Sequence, residues 1–140
     1  MRAVILSVLL GLGLVARAVE PGADASKSYR LETEGTTRTL RAGGTGKLVV
    51  SVVPLDGTKV HPAAPLKVAL SSTAGVKLSR EALARADAVD PKSSGPRFEV
   101  PFTAVAAGAQ EARARFDFYL CTDTWCVRQV RDVSVSIAVE

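Results

Sequence analysis

Apolar and polar residues alternate with period two over much of this chain. Leu66, Val68 and Leu70 line one side of Pro65–Leu70, and Phe98, Val100 and Phe102 one side of Arg97–Phe102. Ala114–Cys121 aligns Phe116, Phe118 and Leu120, and Asp132–Glu140 sets Val133, Val135, Ile137 and Val139 against Ser134, Ser136 and Ala138. Successive side chains of a strand point to opposite faces, so each run predicts a strand with one buried and one wet face. Lys47–Leu55 adds a run rich in β-branched residues that ends at Pro54. Short runs of this kind, punctuated by Gly, Pro, Asp and Ser, predict an all-β fold, a two-sheet antiparallel sandwich. The polar, Gly- and Thr-rich stretch 26–47 is expected to lead into it. One short helical excursion is expected at Ser79–Val89, with Ser79 as its cap and Glu81 in its first turn, where a carboxylate suits the helix dipole. Val89–Pro96 is expected to be a flexible loop.

The last two strands predict a hairpin with Thr122–Trp125 as its loop, which sets the chain's two cysteines, Cys121 and Cys126, opposite each other. Opposed residues in an antiparallel pair are about 4.5–5.5 Å apart at Cα, within reach of a disulfide. From that anchor Leu120 meets Val127, Tyr119 meets Arg128 with a guanidinium able to stack on the ring, and Arg115 meets Asp132 as an ion pair. Phe118 against Gln129 and Phe116 against Arg131 are poor matches, so a bulge or early divergence is expected between 128 and 132. Parity puts both cysteines on the face away from Phe116, Phe118 and Leu120, so both sulfurs are expected to point away from the core. A bridge there closes six residues. The chain-entropy relation makes that worth about 2 kcal/mol, against more than roughly 4 for a hundred-residue loop. The bridge is therefore a weak staple but an accessible sulfur pair. Arg128 would favour a thiolate at Cys126, Asp123 would oppose it, and Trp125 offers an apolar surface beside the bridge.

The start of the chain changes the redox setting. Arg2 precedes an apolar run from Ala3 to Ala16, followed by Ala16-Arg17-Ala18, the layout of a secretory signal peptide over residues 1–18. An alternative exit lies at Ala23-Asp24-Ala25. The run is shorter than the roughly 20 residues of a bilayer crossing, which argues against an uncleaved anchor. Export implies an oxidising compartment, periplasmic or otherwise outside the cytosol, where two thiols pair. Residues 26–140 are then one domain, with no internal repeat, and no membrane insertion is expected after cleavage. Without Arg2 and Arg17 the formal charge falls from +4 to about +2, and the basic residues form no cluster of the kind that binds nucleic acid.

Several pieces of the chain together resemble a known family. "GKLVVSVVP", "KVHPAAPLKVAL", "GVKLS", "RFEVPFTAVAAG" and "FDFYLCTDTWCVRQ" occur in the order seen in the N-terminal periplasmic domain of the thiol:disulfide interchange protein DsbD and its relatives. The likeness covers most of the mature chain. It implies an immunoglobulin-like sandwich whose cysteine pair, here Cys121 and Cys126, passes reducing equivalents from a membrane thiol reductase to periplasmic acceptors such as thioredoxin-like proteins. Two departures stand out: the family's best-known members have one more residue between the cysteines and prolines soon after the second, where this chain has "VRQV". The chain also ends after the sandwich, so its electrons are expected to come from a separate protein.

Other chemistries lack their residues. His61, the sole histidine, is expected to be a turn residue in "VHPAAP"; a zinc site built from it with Cys121 and Cys126 would need a further ligand such as Asp123, and nothing in sequence groups it with the hairpin. There is no G-x-S-x-G elbow, "RAGGTGK" lacks phosphate-loop spacing, and no carboxylate pair suggests acid–base chemistry. No cofactor or metal is expected. The leading expectation is thiol–disulfide exchange by Cys121 and Cys126, with Tyr119, Asp123, Trp125 and Arg128 around them. The competing one is a non-enzymatic interaction module of the cell envelope with a purely structural bridge.

Overall fold

The computed structural model describes residues 25–140; the expected signal peptide, 1–18, lies outside the described residues. Among the described residues ten strands are formed: β1 Tyr29–Glu32, β2 Thr39–Leu40, β3 Thr45–Pro54, β4 Lys59–Val60, β5 Lys67–Ser72, β6 Val76–Leu78, β7 Ala82–Ala84, β8 Arg97–Ala104, β9 Gly108–Cys121 and β10 Cys126–Val139. They build two sheets, one in the order β1-β3-β8-β6, the other β2-β10-β9-β5-β7 with β4 also pairing β9. The pairing is antiparallel except that β2 runs parallel to β10, through Thr39–Ala138 and Leu40–Val139, so the second sheet is mixed rather than purely antiparallel. Among the described residues no helix is long and apolar enough to cross a membrane.

The core lies where the alternation puts it. Leu48, Val50, Val52, Phe98, Val100 and Phe102 from the first sheet meet Val68, Leu70, Phe116, Phe118, Leu120, Val135 and Ile137 from the second. Val49, of opposite parity, is also buried, at 1% exposure. Beyond the end of β1 the hydroxyl of Thr36 takes the neighbouring-strand position, accepting from Val49 N–H at 2.9 Å and donating to Val49 O at 3.0 Å. The stretch read as a polar approach thus supplies an edge strand, β1, and a side-chain substitute for its continuation.

The helical excursion at Ser79–Val89 does not form. Ala82–Ala84 is a strand on β5, with Leu83 opposite Val68 and buried. Only Arg85–Asp87 turns helically, as a single 3-10 turn in which the Asp87 carboxylate accepts from Ala84 N–H at 2.8 Å. Burying Leu83 against the sheet outweighs the weak helix propensity of an eleven-residue segment.

The hairpin is longer and more regular than expected. β9 and β10 pair without interruption from Cys121–Cys126 to Gly108–Val139, so neither a bulge nor a divergence occurs at 128–132. Tyr29 of β1 resolves the two poor matches. Its ring meets Phe118 edge-on at 5.2 Å, and its hydroxyl donates to Gln129 Oε1 at 3.2 Å, so the inward amide is buried with a partner. The Arg131 guanidinium lies over the same ring, 5.2 Å from its centroid. Burial pushes the Tyr29 hydroxyl above the usual tyrosine range, and Arg131 draws it partly back. Arg115 and Asp132 pair as expected, at 3.9 Å.

Candidate functional site

The end of the hairpin is closed by backbone. Thr122 N–H donates to Trp125 O at 2.8 Å, and the Thr122 hydroxyl accepts from Thr124 N–H at 3.2 Å and Trp125 N–H at 3.3 Å. The next pair inward, Cys121–Cys126, is then of the non-hydrogen-bonded kind, in which Cα atoms approach closest. They are 4.1 Å apart and the sulfurs are joined, S–S 2.06 Å. The expected disulfide is present.

The two cysteines differ in surroundings. Cys126 is exposed. Cys121 keeps the outward parity read from sequence and stands outside the core cluster, yet it is only 2% exposed. The cause is β4. Asp56 and Gly57, both at positive φ, turn the chain sharply after β3, and β4 then pairs along β9, with Lys59 opposite Cys121 and Val60 opposite Leu120. Cys121 is thus flanked by a strand on each side. The expectation of two accessible sulfurs holds for Cys126 and is corrected for Cys121.

The same strand delivers His61, which the sequence left apart from the hairpin. Its N–H donates to Tyr119 O at 2.8 Å, beside the end of β4. One of its ring nitrogens and the sulfurs of Cys121 and Cys126 all lie within 4.8 Å of one another. His61 is also the turn residue expected: Nδ1 accepts from Ala63 N–H at 3.0 Å and Ala64 N–H at 2.9 Å. Its carbonyl receives Arg85 Nη2, while Arg85 Nε and Nη1 are buried without a partner. As three donors this is a soft-metal set in composition, but the sulfurs are bonded to each other and Nδ1 is occupied. Asp123, the further ligand considered from sequence, is at the exposed tip of the loop and outside this group.

Of the remaining expected neighbours, Arg128 has a partner that the sequence reading did not name. Arg128 does not stack on Tyr119; it forms a fork with Asp117, Nε–Oδ1 2.9 Å and Nη2–Oδ2 2.6 Å. The guanidinium holds the Asp117 carboxyl below the usual range and is itself raised by it. Arg128 is exposed and Asp117 half-buried at the surface, so solvent screens the pair and it contributes little stability. With its fork committed to Asp117, Arg128 has little charge left to offer Cys126. Trp125 is half-buried and packs against the core at the loop end of the hairpin. Tyr119 is half-buried and lines a shallow recess with Pro65, Lys67, Asp117 and Arg128 on the outer face.

An uninterrupted ladder already holds Cys121 against Cys126, so the bridge adds little to the fold. Replacing both cysteines with alanine is expected to cost about 2 kcal/mol in urea unfolding and leave the far-ultraviolet spectrum unchanged. A loss of fold in the double variant would mean that the bridge, not the ladder, sets the hairpin.

No family model and no curated protein matches the chain, so the resemblance seen in sequence rests on the residues quoted for it. Among solved structures the chain is similar to part of E. coli alpha-2-macroglobulin in its native conformation, at TM-score 0.51 and 18% identity, covering 81% of this chain and 7% of that one. A lipoprotein from Bacteroides thetaiotaomicron matches at TM-score 0.48 and 13% identity, over 79% of this chain and 78% of that one. A conjugate transposon protein from Bacteroides vulgatus matches at TM-score 0.48 and 9% identity, over 79% and 83%. The chain spans a small fraction of the first of these, and the likeness is one of fold alone, a coarse immunoglobulin-like all-β sandwich.

Proposed function

We propose that this domain is an exported thiol–disulfide exchange module of the cell envelope, similar in role to the N-terminal domain of DsbD, with Cys126 as the attacking sulfur and Cys121 as the resolving one. The observation that carries the reading is the placement of the bridge: it joins two residues that the backbone ladder already aligns, at the rim, with one of them exposed. A disulfide that stabilises little and offers a sulfur to solvent suits exchange with another protein. The leader pattern of residues 1–18 supplies the compartment, and the partners are a membrane thiol reductase on one side and thioredoxin-like acceptors on the other.

One observation favours the competing reading, an envelope interaction module with a structural bridge: Cys121 is buried between β4 and β10. Redox equilibration of the folded protein separates the two. Incubated in graded mixtures of a reduced and an oxidised dithiol, the bridge is expected to open in the native fold, at a potential above the roughly −300 mV typical of structural disulfides. Reduction only under conditions that unfold the sandwich would leave the structural reading standing.

A further inference from the structure

Thiol–disulfide exchange is carried out by a thiolate, and a thiolate needs a donor or a positive charge beside it. Arg128, the cation that sequence offers, is held by Asp117. The group that the fold supplies instead is His61. Its Nδ1 accepts two backbone N–H groups, from Ala63 and Ala64, so the ring proton of the neutral imidazole is on Nε2. The carbonyl of the same residue is tied to Arg85 and its N–H to Tyr119, which fixes the backbone from which the ring projects. One ring nitrogen of His61 lies within 4.8 Å of both sulfurs, and because Nδ1 is taken up by the turn, Nε2 is the nitrogen with a proton to donate.

We infer that His61 is a further catalytic residue of this site, its Nε2–H donating to the thiolate that forms when the Cys121–Cys126 bridge is reduced. The inference rests on the exchange reading and names the group that activates the sulfur. A reducing dithiol first gives two electrons and two protons to the bridge, leaving two thiols and its own disulfide. In the forward step Cys126 loses its proton and its sulfur attacks an acceptor disulfide. An S–S bond forms to Cys126, the acceptor bond breaks, and the acceptor's other sulfur leaves as a thiolate and takes up a proton. Cys121 then loses its proton, attacks Cys126, re-forms the bridge and releases the second acceptor sulfur, which is protonated in turn. Two electrons and two protons have passed to the acceptor. His61 is unchanged; it lowers the cost of each anionic sulfur by a directed hydrogen bond.

Other charges surround the pair: Lys59 opposite Cys121 on β4, Arg85 on the carbonyl of His61, Asp117 with Arg128 farther along β9 and β10, and Asp123 in the loop. The test separates them from the imidazole. In His61→Asn the side-chain oxygen can accept the same two backbone N–H groups and keep the turn, while the Nε2 donor is gone. The measurement is ultraviolet thiolate absorbance of the reduced proteins against pH, with Lys59→Gln as the charge control. Wild type is expected to form its first thiolate below the roughly 8.5 of a free cysteine, and His61→Asn to move that midpoint up by about one pH unit, more than Lys59→Gln does. An unshifted midpoint in a folded His61→Asn protein, or a shift no larger than that of Lys59→Gln, overturns the inference. The titration uses the reduced domain without a partner. A His61-dependent midpoint in a protein whose bridge resists exchange therefore refutes the proposed function alone, and ready exchange with no His61 dependence refutes this inference alone.

Discussion

Replacing Phe118 with alanine is expected to destabilise the domain by roughly 3–5 kcal/mol, more than removing its disulfide. Phe118 is fully buried, sits three positions from the loop end of the paired hairpin and supports Tyr29 edge-on from the facing sheet. Deleting the ring removes its own burial and leaves a cavity that two sheets pinned by continuous ladders cannot close. It also leaves Tyr29 without its ring contact, and Tyr29 in turn holds the buried amide of Gln129. Losing that partner would strand a polar group inside the sandwich, a cost added to the cavity. Urea unfolding followed by tryptophan fluorescence reads the change, since Trp125 packs on the same core. A loss below about 1 kcal/mol with an unchanged m-value would contradict this packing of Phe118.

Phe118 also shows which parts of the fold were legible in sequence. The alternation in β5, β8, β9 and β10 announced the sandwich and its core residues, because the side-chain period of a strand is local information. The loop anchor announced the register near the cysteines for the same reason. What failed was the extrapolation along the hairpin: Gln129 and Arg131 looked wrong opposite phenylalanines when only two strands were considered. Their partner, Tyr29, is a hundred residues from Gln129 and belongs to the other sheet. Leu83 is the reverse case, a residue whose helical surroundings lost to a β5 surface with a vacant edge.

The candidate site divides in the same way. The disulfide and the outward parity of its sulfurs followed from spacing, whereas the covering of Cys121 and the arrival of His61 depend on β4 crossing to the second sheet. A signal for that crossing exists in "LDGTKVH": an Asp-Gly turn followed by a short β-branched step that places the histidine two residues beyond Lys59. Its destination beside β9 is a tertiary fact that no local pattern encodes. Arg128 was misjudged because its direct opposite, Tyr119, was weighed and the diagonal carboxylate of Asp117 was not, although diagonal neighbours are within reach of long side chains.

The unequal burial of the two cysteines leads to the most discriminating result expected from this molecule. With Cys121 replaced by serine, the thiol of Cys126 remains exposed at the rim, and a mixed disulfide with a small disulfide reagent or a thioredoxin-like protein should accumulate readily. With Cys126 replaced by serine, the thiol of Cys121 lies between β4 and β10 with His61 beside it, and reaction requires that cover to open. Reaction of the second variant is therefore expected to be slower by at least on the order of tenfold in the native state, and to rise toward that of the first as urea opens the hairpin end. Mass spectrometry of the quenched adducts against time gives both rates. The asymmetry follows from burial alone, so it holds for any disulfide of small size. Preference for a protein acceptor over such a reagent is the part that belongs to the exchange function. Equal rates for the two single variants would mean that β4 does not cover Cys121, and would remove the basis for assigning attack to Cys126. Equal rates restricted to the protein acceptor would instead mean that docking lifts the cover, with β4 and the 61–66 loop yielding as the partner binds.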